Sequence, residues 1–524
     1  MKVYLMYPDR DFDVGRQLPP HAEALTQDME LQTLFRAMAD NDEQLYQVAA
    51  QAVLSGMQDD LKTILYRQAV LRDCLRNPEL IKKIRDIALA ATDNKKRRWL
   101  GIFSRYPSGI LSEAVDLLRM FMGILGELRK IVDQHAGDFE SDGLNSLFTR
   151  IQTELTDDYF ALVNNYLRDL KFAGGVLVSV QLGENNEGTN YMLRKSTEPP
   201  QSWIRRIFSH QPPAFTIRID PRDEAGAQAL YDLRNRGINT VANALAQSAD
   251  HIQSFFVMLQ TELAFYLGCV NLHRELAAKA VPVCFPVPEP AGTGTHACVA
   301  LRDVCLTLCS KQRVVGNDLS ADGKNLVIIT GANQGGKSTF LRGLGLAQLM
   351  MQCGMFVTAE SFRADTCRSL FTHYKREEDT TMSSGKFDEE LDRISRIVDR
   401  ISPHSMVLFN ESFAATNELE GSEIARQIVC ALLDSNIRIF FVTHLYAFAN
   451  TFWQNRMDTA LFLRAERQTD GSRPFKLLPG RPLQTSYGLD LYEQIFNAAM
   501  PQHGGAASSP AHCVSLGGSN GTPR

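Results

Sequence analysis

From residue 31 to about residue 170, apolar positions recur every three to four residues, the spacing that gives a helix one buried face. Leu61, Ile64, Leu65, Ala69 and Leu71 predict one helix; Leu117, Phe121, Ile124, Leu128 and Ile131 predict a longer one. Breaks fall at Asn77-Pro78, at Pro107-Ser108-Gly109 and at Ala136-Gly137-Asp138. Between residues 172 and 221 the period shortens to two. Residues 175–182 alternate, a polar turn follows at 183–188, and 191–193 and 215–219 continue the pattern, which predicts a small antiparallel sheet inserted among the helices. Helical spacing returns from 225 to about 280, with the stripe Ile252, Phe255, Phe256, Leu259 and Leu263, until a proline-rich run at 282–290 marks a boundary. From 326 to about 463, strand-like apolar runs alternate with helical stripes, an α/β signal.

Four regions follow from this pattern. Residues 1–30 are polar with an early proline and predict an extended or lightly docked arm. Residues 31–280 are a helical region with its β insertion near 172–221, and 281–497 are the α/β unit. Residues 498–524 are rich in Gly, Ser, Ala and Pro and predict a disordered tail.

The α/β unit opens on its most specific stretch. Leu326 to Thr330 reads as a buried strand, and Phe340, Leu341, Leu344 and Leu346 as the stripe of a helix. Between them lie Gly331, Ala332, Asn333, Gln334, Gly335, Gly336, Lys337, Ser338 and Thr339, the pattern G-x-x-x-x-G-K-[ST] between strand and helix. The glycines let the backbone curl so that its N–H groups converge on a phosphate chain, and the helix adds the positive end of its dipole. Lys337 can reach the outer phosphates of ATP, and the Ser338 hydroxyl can ligate Mg²⁺.

Two later strands supply the remaining chemistry. Residues 405–409 form a buried run ending in Asn410-Glu411. In P-loop ATPases a strand-terminal acid supports Mg²⁺ and a following Glu orients the attacking water. Here the first position is an uncharged amide, and Glu411 is the candidate base. Residues 437–442 end in Thr443-His444, which brings an imidazole to the same end of a neighbouring strand, within reach of a γ-phosphate. Ser383, Ser384 and Gly385 precede a helical stripe, and free N–H groups there can grip a γ-phosphate, although many helices begin with serine.

Composition narrows the partners. The 524 residues carry a net charge of −5, so contact with nucleic acid or an anionic membrane must come from local patches. Two are present: residues 95–98 beside Trp99, and the set Arg194, Lys195, Trp203, Arg205, Arg206 and His210. Each reads either as a solvated surface or as a contact with a nucleic-acid backbone. The ten cysteines form no C-x-x-C pair, and the Cys305/Cys309 spacing lacks a second pair, so buried reduced thiols are expected rather than a zinc site. No uninterrupted apolar run reaches about 18 residues and no signal segment opens the chain, which gives the expectation of a cytoplasmic protein without a membrane partner.

The residues 330–342, FTHY at 371–374, the segment 383–387, LFNES at 408–412, FFVTH at 440–444 and TSYGLDL at 485–491 occur in the order and spacing of the MutS family ATPase domain, which this region resembles, together with Asn317-Asp318-Leu319-Ser320. Residues 30–280 are similar, more distantly, to that family's helical core and lever region; no segment resembles its mismatch-reading domain, so a short stand-alone form is expected. The resemblance implies an α/β P-loop ATPase of the ABC type joined to an all-helical core and lever region. It implies a homodimer in which the 383–386 segment of one protomer completes the other's site. The phosphates would be held by Gly331 to Ser338, the metal by Ser338 and Asn410, the water by Glu411, and His444 would report on the γ-phosphate.

The sequence departs from the family pattern in four places. Asn410 replaces an Asp, weakening the metal site; Gly385 stands where a serine is usual; Val314 or Arg313 stands where an aromatic stacks on adenine; and the C-terminal dimerising helices are curtailed. The expected function is therefore an ATP-hydrolysing, DNA-associated protein of mismatch repair or recombination. The alternatives are an ATP-gated DNA-binding or scaffold protein with little hydrolysis, and an ABC-type ATPase unrelated to nucleic acid.

Overall fold

Two of the expected breaks begin helices. Pro78 and Pro107 each occupy the first helical position, where the missing N–H costs nothing and the fixed φ suits the helix. A computed structural model describes residues 1–98, 106–172, 175–184, 187–195, 216–376, 385–468 and 471–483, without the side chains of 94–98. The basic excursion beyond Lys195, Trp99, Ser383, Ser384, the 485–491 motif and the tail lie outside the described residues.

The helices of the first half are α1 (Ala22–Asp28), α2 (Leu31–Ala39), α3 (Glu43–Ser55), α4 (Leu61–Arg76), α5 (Pro78–Arg98), α6 (Pro107–His135), α7 (Asp142–Glu154) and α8 (Asp157–Asp169). Asp42, Asp60, Ser141 and Thr156 cap four of them by accepting bonds from the first free N–H groups. Of the predicted stripes, Ile64 and Leu71 of α4 and Phe121, Leu128 and Ile131 of α6 are buried, Leu61, Ala69, Leu117 and Ile124 are partly buried at the edges, and Leu65 is half exposed. A two-stranded hairpin, β1 (Leu177–Leu182) with β2 (Gly188–Arg194), follows. The expected third strand is absent among the described residues: 216–220 find no ladder partner there.

The helical region from 225 to 280 is one helix, α9 (Glu224–Ala278), of 55 residues. At 1.5 Å per residue it is a rod of about 80 Å. An 18-residue window of it has mean hydropathy 1.4, enough by composition to cross a membrane, but 72% of that window is buried. It lies along α6, α5, α2 and α3 and is the spine of the helical half.

The α/β unit contains β3 (Val287–Glu289), β4 (His296–Leu301), α10 (Val304–Cys309), β5 (Asn317–Ser320), β6 (Leu326–Gly331), α11 (Lys337–Gln352), β7 (Ser361–Asp365) and β8 (Leu370–Tyr374). It continues with α12 (Lys386–Val398), β9 (Met406–Asn410), α13 (Glu418–Asp434), β10 (Arg438–Val442), α14 (Tyr446–Gln454), β11 (Ala460–Ala465) and β12 (Leu477–Pro479). The main sheet runs β12-β11-β6-β10-β9-β8, parallel except at β12. Its central strands are apolar on both faces because both faces are covered. A smaller sheet, β3-β7-β4-β5, flanks it.

One hydrophobic core crosses from the helical half into the α/β unit, joining Met29, Phe35, Leu71 and Phe265 to Leu344, Met351 and Phe356. A second core on the opposite face of the sheet holds Ile394, Val429, Phe441 and Phe452. Polar contacts reinforce the crossing: Gln58 N–H donates to the Gln352 carbonyl at 3.1 Å, and Gln352 Nε2 returns a bond to the Gln58 carbonyl at 2.8 Å. Arg342 pairs with both Glu30 and Asp303.

The amino-terminal arm is embedded rather than lightly docked. Val3, Leu5, Met6, Tyr7 and Phe12 are buried. The carboxylate of Glu262, deep in α9, accepts N–H bonds from Leu5 (2.6 Å), Met6 (3.1 Å) and Phe12 (2.7 Å). The fully buried Arg67 donates to the carbonyls of Met6 and Gly56 and stacks on Tyr7. The arm is polar in sequence, but its backbone groups find buried partners, and that is what lets it enter the core.

Candidate functional site

The carboxyl ends of β6, β9 and β10 converge, the end of a parallel sheet where ligands bind. The turn from β6 to α11 is held open by its glycines. Gly331 has φ 111°, and a Cβ there would come within 2.8 Å of the Ala465 nitrogen on β11. Gly336 has φ 85° at the N-cap of α11, leaving the first N–H groups of that helix without a side-chain cap. Those N–H groups face the space a phosphate chain would take.

Lys337 is buried, and its ammonium donates to the carbonyls of Gly331 (3.1 Å) and Ala332 (2.9 Å). It thus folds back onto the turn. Burial lowers its pKa to about 8; Glu411 opposes that shift and Arg473 adds to it. Arg473 also reaches Gln334 Oε1 at 3.3 Å, closing the outer side of the turn.

Ser338 Oγ donates to Asn410 Oδ1 at 2.8 Å. These two oxygens are the expected metal donors. Both are neutral, and among the described residues no group of three His, Cys, Asp or Glu side chains could hold a metal on its own. The donor set therefore fits Mg²⁺ arriving with phosphate oxygens and keeping several waters. It does not fit a metal bound by the protein alone.

Glu411 and His444 meet, with His444 Nε2 3.0 Å from Glu411 Oε1. That hydrogen bond holds the Glu411 carboxyl below its ordinary range, against the effect of burial. Glu411 has φ 56° and Phe413 φ 63°, two left-handed non-glycine residues within one tight turn. Such conformations cost on the order of 1–3 kcal/mol each and persist where neighbours enforce them. Gly385 is the N-cap of α12, with extended φ −62° and ψ 148° and no side-chain cap. The neighbouring Ser383 and Ser384 lie outside the described residues.

A pocket of about 280 Å³ adjoins the glycine turn, lined by Leu306, Arg313, Val315, Gly336, Phe340 and Phe475 among others. Arg313 and Val314 line this pocket, and neither offers an aromatic face. Phe475 does. Its backbone is held at φ 58°, and Asn317 anchors it by donating to the Phe475 carbonyl (3.0 Å) while accepting from Leu477 N–H (2.8 Å). No local pattern marks Phe475, whose anchor Asn317 lies 158 positions away in sequence.

Two family models match the chain: the MutS2 N-terminal domain over residues 59–279 and MutS domain V over residues 327–503. Among similar curated proteins is the DNA mismatch repair protein MutS of Porphyromonas gingivalis, 32% identical over 352 residues, covering 62% of this chain and 37% of that protein. Endonuclease MutS2 of Lacticaseibacillus paracasei is 30% identical over 280 residues, covering 51% and 34%. Endonuclease MutS2 of Streptococcus agalactiae is 31% identical over 385 residues, covering 71% and 47%. The chain thus spans less than half the length of each of these relatives.

Proposed function

The chain belongs to the MutS family, and we propose that it is an ATP-binding and ATP-hydrolysing protein that works on DNA in repair or recombination. The observation that carries this reading is the convergence of Lys337, Ser338, Asn410, Glu411 and His444 at one end of one sheet, beside a pocket sized for a base.

In this reading the N–H groups of residues 335–338 and the Lys337 ammonium bind the phosphates, and the Lys337 bonds to Gly331 and Ala332 are exchanged for phosphate oxygens. The adenine lies in the pocket against Phe475. Ser338 and Asn410 would hold Mg²⁺ arriving with the nucleotide, and the ion would neutralise phosphate charge there. Glu411 orients and deprotonates the attacking water, and His444 holds that carboxylate and meets the γ-phosphate. An ABC-type homodimer, with the α12 end at Ser383, Ser384 and Gly385 completing the partner's site, would place the two cradles face to face. The shared core then carries closure into α9 and the helices along it, which hold DNA by backbone contacts.

A second reading has one observation in its favour. Asn410 brings no negative charge to the metal, which favours an ATP-gated binding protein with slow hydrolysis. Steady-state ATPase assays of the wild type and Lys337→Ala, with and without duplex and branched DNA at two salt concentrations, separate the readings. Turnover above the Lys337→Ala control that responds to DNA supports hydrolysis. ATP binding without turnover supports the gated form, and binding to DNA with no salt dependence argues against phosphate contact.

A further inference from the structure

We propose that His373 and Glu390 are positioning residues that tie the turn carrying Glu411 to helix α12, so that the seating of that helix sets the aim of the water-activating carboxylate. The inference rests on the assignment of Glu411 as the base.

Glu411 is followed by Ser412 and Phe413, both fully buried. His373, on β8 and itself fully buried, holds both of them. Its Nδ1 lies 2.7 Å from Ser412 Oγ, and its ring stacks on Phe413 with centroids 5.5 Å apart and planes 16° apart. The other ring nitrogen, Nε2, lies 3.1 Å from the Glu390 carbonyl on α12. The Glu390 carboxylate accepts the Phe413 N–H at 3.3 Å, and Arg393, the next turn of α12, donates to the Tyr374 carbonyl at 2.9 Å. Strand, turn and helix meet in one buried knot directly behind Glu411.

The hydrogen-bond count of that knot gives it two arrangements. Burial, with Arg393 adding to it, lowers the His373 pKa to about 4, so the ring is neutral near pH 7 and carries a single N–H. The Glu390 carbonyl only accepts. If the proton is on Nε2, the ring bonds α12 and the Ser412 hydroxyl must donate to Nδ1. If it is on Nδ1, the ring donates to Ser412, whose hydroxyl is then free to donate to the His373 carbonyl at 2.6 Å, and the tie to α12 is lost. The seating of α12 therefore selects which acceptor the Ser412 hydroxyl donates to, one residue from Glu411. Among the described contacts of His373 and Glu390 none reaches the phosphate turn, so their effect on ATP is indirect.

The test uses the full-length protein and variants that keep half the knot. His373→Gln places an amide N–H near the Nε2 position and keeps the bond to Glu390; His373→Asn places one near Nδ1 and keeps only the bond to Ser412. Turnover, KM and the ATP dissociation constant are measured for both, with Ser412→Ala as the smaller change and thermal melts to establish folding. The inference expects kcat to fall about tenfold or more in His373→Asn and Ser412→Ala, with KM and the dissociation constant within roughly threefold of the wild type, and His373→Gln to recover most of that loss. Values of kcat within about twofold of wild type in folded His373→Asn and Ser412→Ala would overturn it, as would equal losses in Gln and Asn variants accompanied by weakened ATP binding. A wild type that binds ATP without hydrolysing it would instead remove the role of Glu411, and this inference with it.

Discussion

Ser338 and Asn410, separated by 72 positions in sequence, are joined by a 2.8 Å hydrogen bond across the mouth of the glycine turn. The bond pairs a helix-borne hydroxyl with a strand-end amide where a hydroxyl and a carboxylate would bring charge to the metal. Restoring the charge with Asn410→Asp should therefore tighten Mg²⁺ in the nucleotide complex. We expect the half-saturating Mg²⁺ concentration to fall about tenfold and turnover to rise. Magnesium titrations of ATPase rate check this; an unchanged Mg²⁺ requirement would mean that the amide is not what limits the metal.

Lys337 gives the site a pH dependence. Its pKa of about 8 in the free protein lies below the ordinary lysine value because it is buried, whereas phosphate binding needs the charged form. ATP affinity should be flat below that pKa. Above it, affinity should fall by roughly tenfold per pH unit, with proton uptake on binding. Calorimetry in two buffers of different ionisation enthalpy at pH 7 and pH 9 measures the proton directly.

Phe475 supplies an aromatic face in the pocket proposed to take the base. Phe475→Ala should weaken ATP binding by about 1–3 kcal/mol, as for other lost base–aromatic stacks, while leaving binding of inorganic triphosphate unchanged. Equal losses for both ligands would place Phe475 outside the base subsite.

Glu262 holds the amino-terminal arm with both oxygens. In Glu262→Gln one oxygen becomes an NH₂ that faces an N–H donor, so about 1–3 kcal/mol of stability should be lost and the first twelve residues exposed to protease. Burial raises the Glu262 pKa to about 7 against the pull of its three N–H donors. The folded state therefore holds the proton over a range where the unfolded chain releases it. This contribution is complete below the unfolded pKa of ~4.5 and is lost as pH rises to about 7, on the order of 3 kcal/mol across that window. Denaturant melts of the wild type and Glu262→Gln across that range should show the difference narrowing as pH rises.

The glycine turn was legible because its geometry is local: Gly331 to Ser338 lie between an apolar run and a helical stripe, which form β6 and α11. The convergence of Asn410, Glu411 and His444 was legible because they end or follow buried strands, and a parallel sheet brings strand ends together. Phe475 and His373 were not, since their roles depend on residues far away in sequence. Nothing local marks Glu262, because its partners lie some 250 positions earlier. The alternation at 215–219 predicts a strand, but among the described residues 216–220 have no ladder partner: alternation records only two faces, and a strand also needs a neighbour to bond. Leu65 fits the helical stripe of α4 yet lies half exposed, since spacing fixes a face without fixing how wide the covering neighbour is.

Because one core spans both halves, a grip on nucleotide at the glycine turn should be felt in the helical half. Hydrogen exchange of the full chain, with and without ATP and Mg²⁺, measures this most directly. The expected result is slowed exchange at the glycine turn together with altered exchange in α2, α4, the amino-terminal arm and the adjoining part of α9, all of which share its core. Changes confined to the turn, the ends of β9 and β10 and the Phe475 pocket, with the helical half unaltered, would contradict it.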